Sequence, residues 1–140
     1  MTTPQHSIPT RARIAWALFD WANSAYATLI VTFVFSTYFA LAVVADPVRG
    51  QQLWGWAASA SGLAVAFLAP VFGAVADAGG RRKPWLFGFT AVAAIGTALL
   101  WSSKADPGFI AWAMAWYAIG NLGIEFGVLF ANRSEEHTSE

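Results

Sequence analysis

The 140-residue sequence has no cysteine, two histidines and little charge, with Asp, Glu, Lys and Arg making up 11% of it. Without cysteine there is no disulfide framework, no thiolate metal site, no iron–sulfur ligation and no thiol nucleophile. His6 and His137 lie in the polar ends, so the apolar body holds no imidazole for a metal or a catalytic triad. There is no Gly-x-x-x-x-Gly-Lys-[Ser/Thr] phosphate loop. Eight basic side chains balance eight acidic ones with no long basic block, so the electrostatic footprint of a nucleic-acid binder is missing. No enzyme chemistry, resident cofactor or metal is expected. A soluble domain is about 25% charged, so a fold covered by water is also disfavoured.

What is present is apolar: 57% hydrophobic residues, with 8 Trp and 11 Phe. The few charges cluster and leave four uncharged runs, 21–45, 50–76, 84–103 and 107–124. A hydrocarbon core of ~30 Å is crossed by about 20 residues at ~1.5 Å each, so each run supplies one span. The expected fold is an all-α membrane protein with four transmembrane helices near 14–44, 53–76, 84–101 and 109–131, and the lipid bilayer is its first partner. Asp46-Pro47 with Gly50, Gly79-Gly80 with Pro84, and Asp106-Pro107-Gly108 read as the breaks between them. A cleaved signal peptide after Arg11 and Arg13 does not fit, because the apolar stretch 14–45 far exceeds the ~7–15 residues of such a segment.

Arg11, Arg13, Arg81, Arg82 and Lys83 fall on one side of this layout, and Arg49 and Lys104 on the other. The excess places the N-terminus in the cytoplasm, with residues 1–13 as a cytoplasmic tail. Trp16, Trp54, Trp85, Trp101 and Trp112 lie near predicted ends, as interfacial anchors do. Ser59, Gly62, Ala66, Ala69 and Gly73 recur at steps of three and four, a small-residue stripe along which another helix can approach closely. Gly120, Gly123 and Gly127 fit close helix approach or bending in the fourth helix.

Carboxylates within hydrocarbon cost at least ~2.5–3.5 kcal/mol, so Asp20 and Glu125 call for a reason. Asp20 is six residues from Ile14 and Glu125 six from Ala131, each about 9 Å in at ~1.5 Å per residue. Asn23 and Asn121 form a second polar layer, about 13–15 Å in by the same rise. These four are candidates to line an aqueous cavity, the carboxylates carrying a coupling proton or meeting a cationic solute. The competing reading puts Asp20 among headgroups and has Glu125 cap or pair within the protein. Ser24, Thr28, Thr32 and Ser36 follow Asp20 at steps of four and either wet that cavity or bond to backbone carbonyls.

The string Gly73-Ala-Val-Ala-Asp77-Ala-Gly-Gly80-Arg81-Arg82-Lys83 has the pattern G-x-x-x-D-x-x-G-R-[R/K]. It resembles the loop between helices two and three of the major facilitator superfamily and occupies that position here. Trp16-Ala-Leu-Phe-Asp20-Trp21-Ala22-Asn23-Ser24-Ala25-Tyr26, with Gly120-Asn121-Leu-Gly123-Ile-Glu125-Phe, is similar to the vacuole effluxer-like branch, whose fungal members are associated with amino-acid export. The resemblance covers residues 11–132. It implies the N-terminal part, residues 14–132, of a twelve-helix transporter working by alternating access on a small solute such as an amino acid. It further implies a latch between transporter halves formed by Gly73, Asp77, Gly80, Arg81 and Arg82, a bacterial plasma membrane, and helices five to twelve as the missing partners. The last eight residues, 133–140, resemble a translated sequencing adapter and are expected to be a non-native tail. The alternative is a small four-helix membrane subunit for interaction or assembly.

Overall fold

The computed structural model describes residues 10–79 and 82–136, without the side chains of Ala12, Arg82 and residues 133–136. The expectations placed on 1–9, His6, Gly80, Arg81, His137 and 138–140 lie outside the described residues. Among the described residues all regular structure is helical: α1 (Thr10–Tyr26), π1 (Ala27–Phe33), α2 (Val34–Tyr38), π2 (Phe39–Val43), α3 (Pro47–Ala78), α4 (Arg82–Leu100), a 3₁₀ turn (Pro107–Phe109) and α5 (Ile110–Glu136). Four helical segments, Arg13–Val43, Pro47–Ala78, Lys83–Leu100 and Pro107–Asn132, are long and apolar enough to cross a membrane. They follow the four charge-free runs. At 32 residues, α3 is about 48 Å long by the ~1.5 Å rise, well beyond a ~30 Å core, so it tilts or projects from the bilayer.

The chain divides between Ser36 and Thr37 into two compact units. In the first, α1 passes into the wider turns of π1, where the backbone N–H after the segment, that of Val34, reaches back five residues to the carbonyl of Leu29. The Thr32 hydroxyl donates to the Ala27 carbonyl at 2.9 Å, and the Ser36 hydroxyl to the Thr32 carbonyl at 2.7 Å. These two members of the predicted hydroxyl row are thus bound to backbone, while Ser24 and Thr28 are exposed.

The second unit opens with π2, closed by a Val44 N–H bond to the Phe39 carbonyl at 2.9 Å. Ala45 follows with φ of 56°, a left-handed conformation that costs a non-glycine residue roughly 1–2 kcal/mol. Asp46 then caps α3, its Oδ1 accepting from the N–H groups of Val48 and Arg49 at 3.0 Å each. Pro47 takes the first helical position, where its fixed φ suits the helix and its missing N–H is not needed. The second span therefore begins at Pro47 and not near Leu53, and Gly50 lies inside the helix. Asp106 repeats the device at the other tight connection, accepting from the Gly108 N–H at 2.6 Å.

Packing in lipid has no hydrophobic force driving helix against helix, so close backbone approach and side-chain fit carry it. The α4–α5 seam shows this at two places. A methyl group built on Gly96 would stand 2.7 Å from the Gly120 Cα, and one on Gly123 would stand 2.5 Å from the Ala93 nitrogen. Gly127 has only the Thr90 hydroxyl at 3.9 Å. Below the seam, Ala76, Phe126 and Phe130 form a buried cluster, flanked by Phe72, Trp85 and Phe89. The rings interlock, with Phe89 to Phe126 at 4.8 Å and Phe72 edge-on to Phe126 at 5.2 Å. At the other end Trp54 lies between Phe39, at 5.3 Å, and Tyr117, at 4.0 Å.

The anchor expectation is corrected for two tryptophans. Trp54 is 4% exposed, an internal ring and not a lipid anchor, because its position on α3 faces α5. Trp85 is likewise half-buried in the aromatic cluster, whereas Trp16, Trp101 and Trp112 are exposed. The small-residue stripe of α3 does not form a seam along its whole length: Ser59, Gly62 and Ala66 are exposed, and a methyl on Gly62 would meet nothing within 4 Å. Ala69 and Gly73 turn inward.

Candidate functional site

The polar groups inside the spans are few, so each can be followed. Asp20 and Asn23 lie on α1 in the first unit, Asp20 exposed and Asn23 half-buried. Three residues apart on a helix, they share a face. Asn121 and Glu125 lie on α5 in the second unit, four residues apart and likewise on adjoining turns of one face. Glu125 is exposed and Asn121 half-buried. The structure thus describes two polar pairs, each within its own unit.

Asn121 has a partner the sequence did not suggest. Its Nδ2 donates to the Ser61 hydroxyl oxygen on α3 at 3.1 Å, and that hydroxyl donates in turn to the Ala58 carbonyl at 2.9 Å. Ser61 is 2% exposed. An amide in hydrocarbon needs a partner, and a hydroxyl already bound to its own helix makes a well-oriented acceptor. The signal for Ser61 was available: it continues the inward face of α3 through Trp54 and Ala57 at steps of three and four. Nothing in the sequence says which of several serines that face opposes.

The polar end of the α3–α4 connection holds the motif residues. Gly73 is buried on α3, and Asp77 is exposed in its last turn. Gly79 ends the helix, its N–H returning to the Val75 carbonyl at 3.0 Å. Arg82 begins α4. At the opposite end, the Tyr38 hydroxyl donates to the Ser103 carbonyl at 3.0 Å, and the Trp112 indole N–H donates to the Ser102 hydroxyl at 3.1 Å. Lys104 stands 6.0 Å from the Phe109 ring centre. Such amphipathic aromatics fit a membrane–water boundary.

The sequence is similar to the uncharacterized MFS-type transporter YxiO of Bacillus subtilis (strain 168), at 32% identity over 94 residues. That alignment takes in 65% of this chain and 22% of the relative, so the chain spans about a fifth of the relative's length. No family model and no solved structure matches. With four apolar helices and this likeness, the chain is an all-α, multi-pass integral membrane protein that fits the N-terminal part of a major facilitator fold.

Proposed function

We propose that this chain supplies the first four helices of a major facilitator secondary transporter that moves a small solute by alternating access. The observation that carries the reading is the 32% identity to an MFS-type transporter in a chain whose helices are built to span a bilayer. Transport of this kind needs no covalent chemistry. It needs a midplane cavity opened alternately to each side, which inverted repeats of helices supply. The remaining helices would complete that cavity.

Within this reading Asp20 and Glu125 face the cavity, and one or both carry a coupling proton or pair with a cationic group, as on an amino acid. What supports it is that both carboxylates lie well inside apolar helices and both are exposed at the helix surface, open to a cavity or neighbouring helix. Asn23 borders the solute. Asn121 holds α5 to α3 beside the cavity through Ser61. Gly73, Asp77, Gly80, Arg81 and Arg82 act as a latch between halves, the bacterial plasma membrane is the host, and the N-terminus is cytoplasmic. Since the chain has no cysteine, a Thr10→Cys variant labelled by an impermeant maleimide in intact cells or inverted vesicles reads the orientation directly.

The decisive measurement is solute flux in proteoliposomes holding the longer gene product, with Asp20→Asn and Glu125→Gln beside the parent. The expected outcome is loss or displacement of the pH dependence of flux in at least one variant. Unchanged pH profiles in both would overturn the proton-carrier role, and absence of flux for every small solute, amino acids included, would overturn the transporter reading.

A further inference from the structure

The first span holds two stretches of wide turns that are secured differently. In the second unit Phe39, Ala40 and Val43 of π2 are buried, and the Ala40 backbone lies so near α3 that a methyl on Gly50 would collide with it. In the first unit none of the residues of π1 is buried. What holds π1 is local. Thr28, Ile30, Val31 and Thr32 are β-branched, and such side chains crowd the preceding turn of an ordinary α-helix. The Thr32 hydroxyl then bonds to the Ala27 carbonyl, five residues back, which is the reach of a π turn. A hydroxyl in an α-helix returns only three or four residues, as that of Ser36 does to the Thr32 carbonyl. Side-chain crowding and one hydroxyl are small contributions, so the wide and the ordinary turns lie close in free energy.

Wide turns of this kind absorb one residue, so a return to ordinary turns rotates α1 by one residue's step, about 100°. The direction that Asp20 holds then passes to Trp21, and that of Asn23 passes to Ser24. The exchange changes the chemistry on that side of the helix. A carboxylate and an amide give way to a hydroxyl and a large indole, which is 71% exposed in the described form. We propose that π1 is a rotary switch for α1, with the Thr32 hydroxyl as its catch. The wide form presents Asp20 and Asn23 on one side of the span, and the ordinary form withdraws them and presents Trp21 and Ser24 in their place. The switch would govern access to the candidate carboxylate of the transporter reading, yet it is a property of the span alone and is measured without any solute.

Solid-state NMR of the full chain in oriented bilayers tests it. The backbone nitrogen signals of a tilted helix fall on a wheel around which each residue advances by about 100°, so the wheels of residues 14–25 and 34–38 can be phased against each other. In the parent they should be out of step by one residue. Ile30→Leu, Val31→Leu and Thr32→Leu together remove the hydroxyl and the branching while keeping the span apolar, and should bring the wheels into step. Thr32→Val removes the hydroxyl alone and should raise the ratio of in-step to out-of-step form roughly fivefold, the net contribution of about one hydrogen bond. Thr32→Ser keeps the hydroxyl and should leave the ratio near that of the parent. Wheels already in step in the parent, a triple variant that stays out of step, or a serine variant that behaves like the valine one would each overturn the proposal. Flux plays no part in the readout, so failure of the transporter reading leaves this test standing.

Discussion

The two faces of α3 obey different rules although they share one helix and one apolar composition. The inner face carries Gly50, Trp54, Ala57, Ser61 and Ala76, and its members are matched to particular partners. Trp54 meets Phe39 and Tyr117, Ser61 accepts from Asn121, and a methyl on Gly50 would collide with Ala40, its Cβ 2.8 Å away. The outer face carries Trp56, Ser59, Gly62, Leu63, Ala66 and Phe67, all exposed. Hydrophobicity does not separate the two faces. What separates them is shape, because in lipid an apolar side chain loses nothing by staying outside.

Substitutions in matched pairs test this, read as unfolding in detergent or bicelles. The largest contrast is expected between Trp54→Ala, which empties the space between two rings and should cost about 3 kcal/mol or more, and Trp56→Ala, which is 73% exposed against 4% for Trp54 and should be near neutral. A similar loss from both would mean that the outer face is as closely packed as the inner. Next come the glycines. Gly50→Ala must push α3 away from Ala40 and should cost about 1–3 kcal/mol. Gly62→Ala has open space and gains helix propensity, so a change of up to about 1 kcal/mol in the stabilising direction is expected. The smallest contrast is between the serines. Ser61→Ala removes the acceptor for Asn121 and should cost about 0.6 kcal/mol, at most about 1.7, with no measurable effect from Ser59→Ala. Under the proposed transporter reading the outer face has a further test: Gly62→Leu that halts flux without destabilising the chain would assign the stripe to a neighbouring helix.

The spans were legible because charge placement alone marks them, and lipid enforces that rule more strictly than water does. The start of α3 was misread at Asp46-Pro47 because the same dipeptide signals a turn and an ideal helix entry, and only the capping bonds distinguish them. The stripe at Ser59, Gly62 and Ala66 was legible only in part: small residues at helical spacing state that a backbone can come close, not which helix supplies it. At the α4–α5 seam the same logic succeeded for Gly120 and Gly123, where Gly96 and Ala93 stand opposite. The candidate carboxylates were legible as costly residues in apolar runs, while the Asn121–Ser61 bond was not, since it depends on the rotation of two helices.

One consequence follows from the wide turns of π1. Polarity along a helix is read by projecting residues at 100° each, and a step of four then drifts forward by about 40°. In a π turn, which bonds five residues back, the same step drifts backward. Ser24, Thr28, Thr32 and Ser36 cross from one regime to the other, so the two drifts offset and the row stays straighter than the projection shows. The segment thus acts as a phase adjuster. Restoring ordinary turns across Ala27–Phe33 without removing a residue would turn every side chain upstream, Asp20 and Asn23 included, by about 100° against Val34 and its neighbours, whereas deleting one residue at the same time would bring them back close to their present phase.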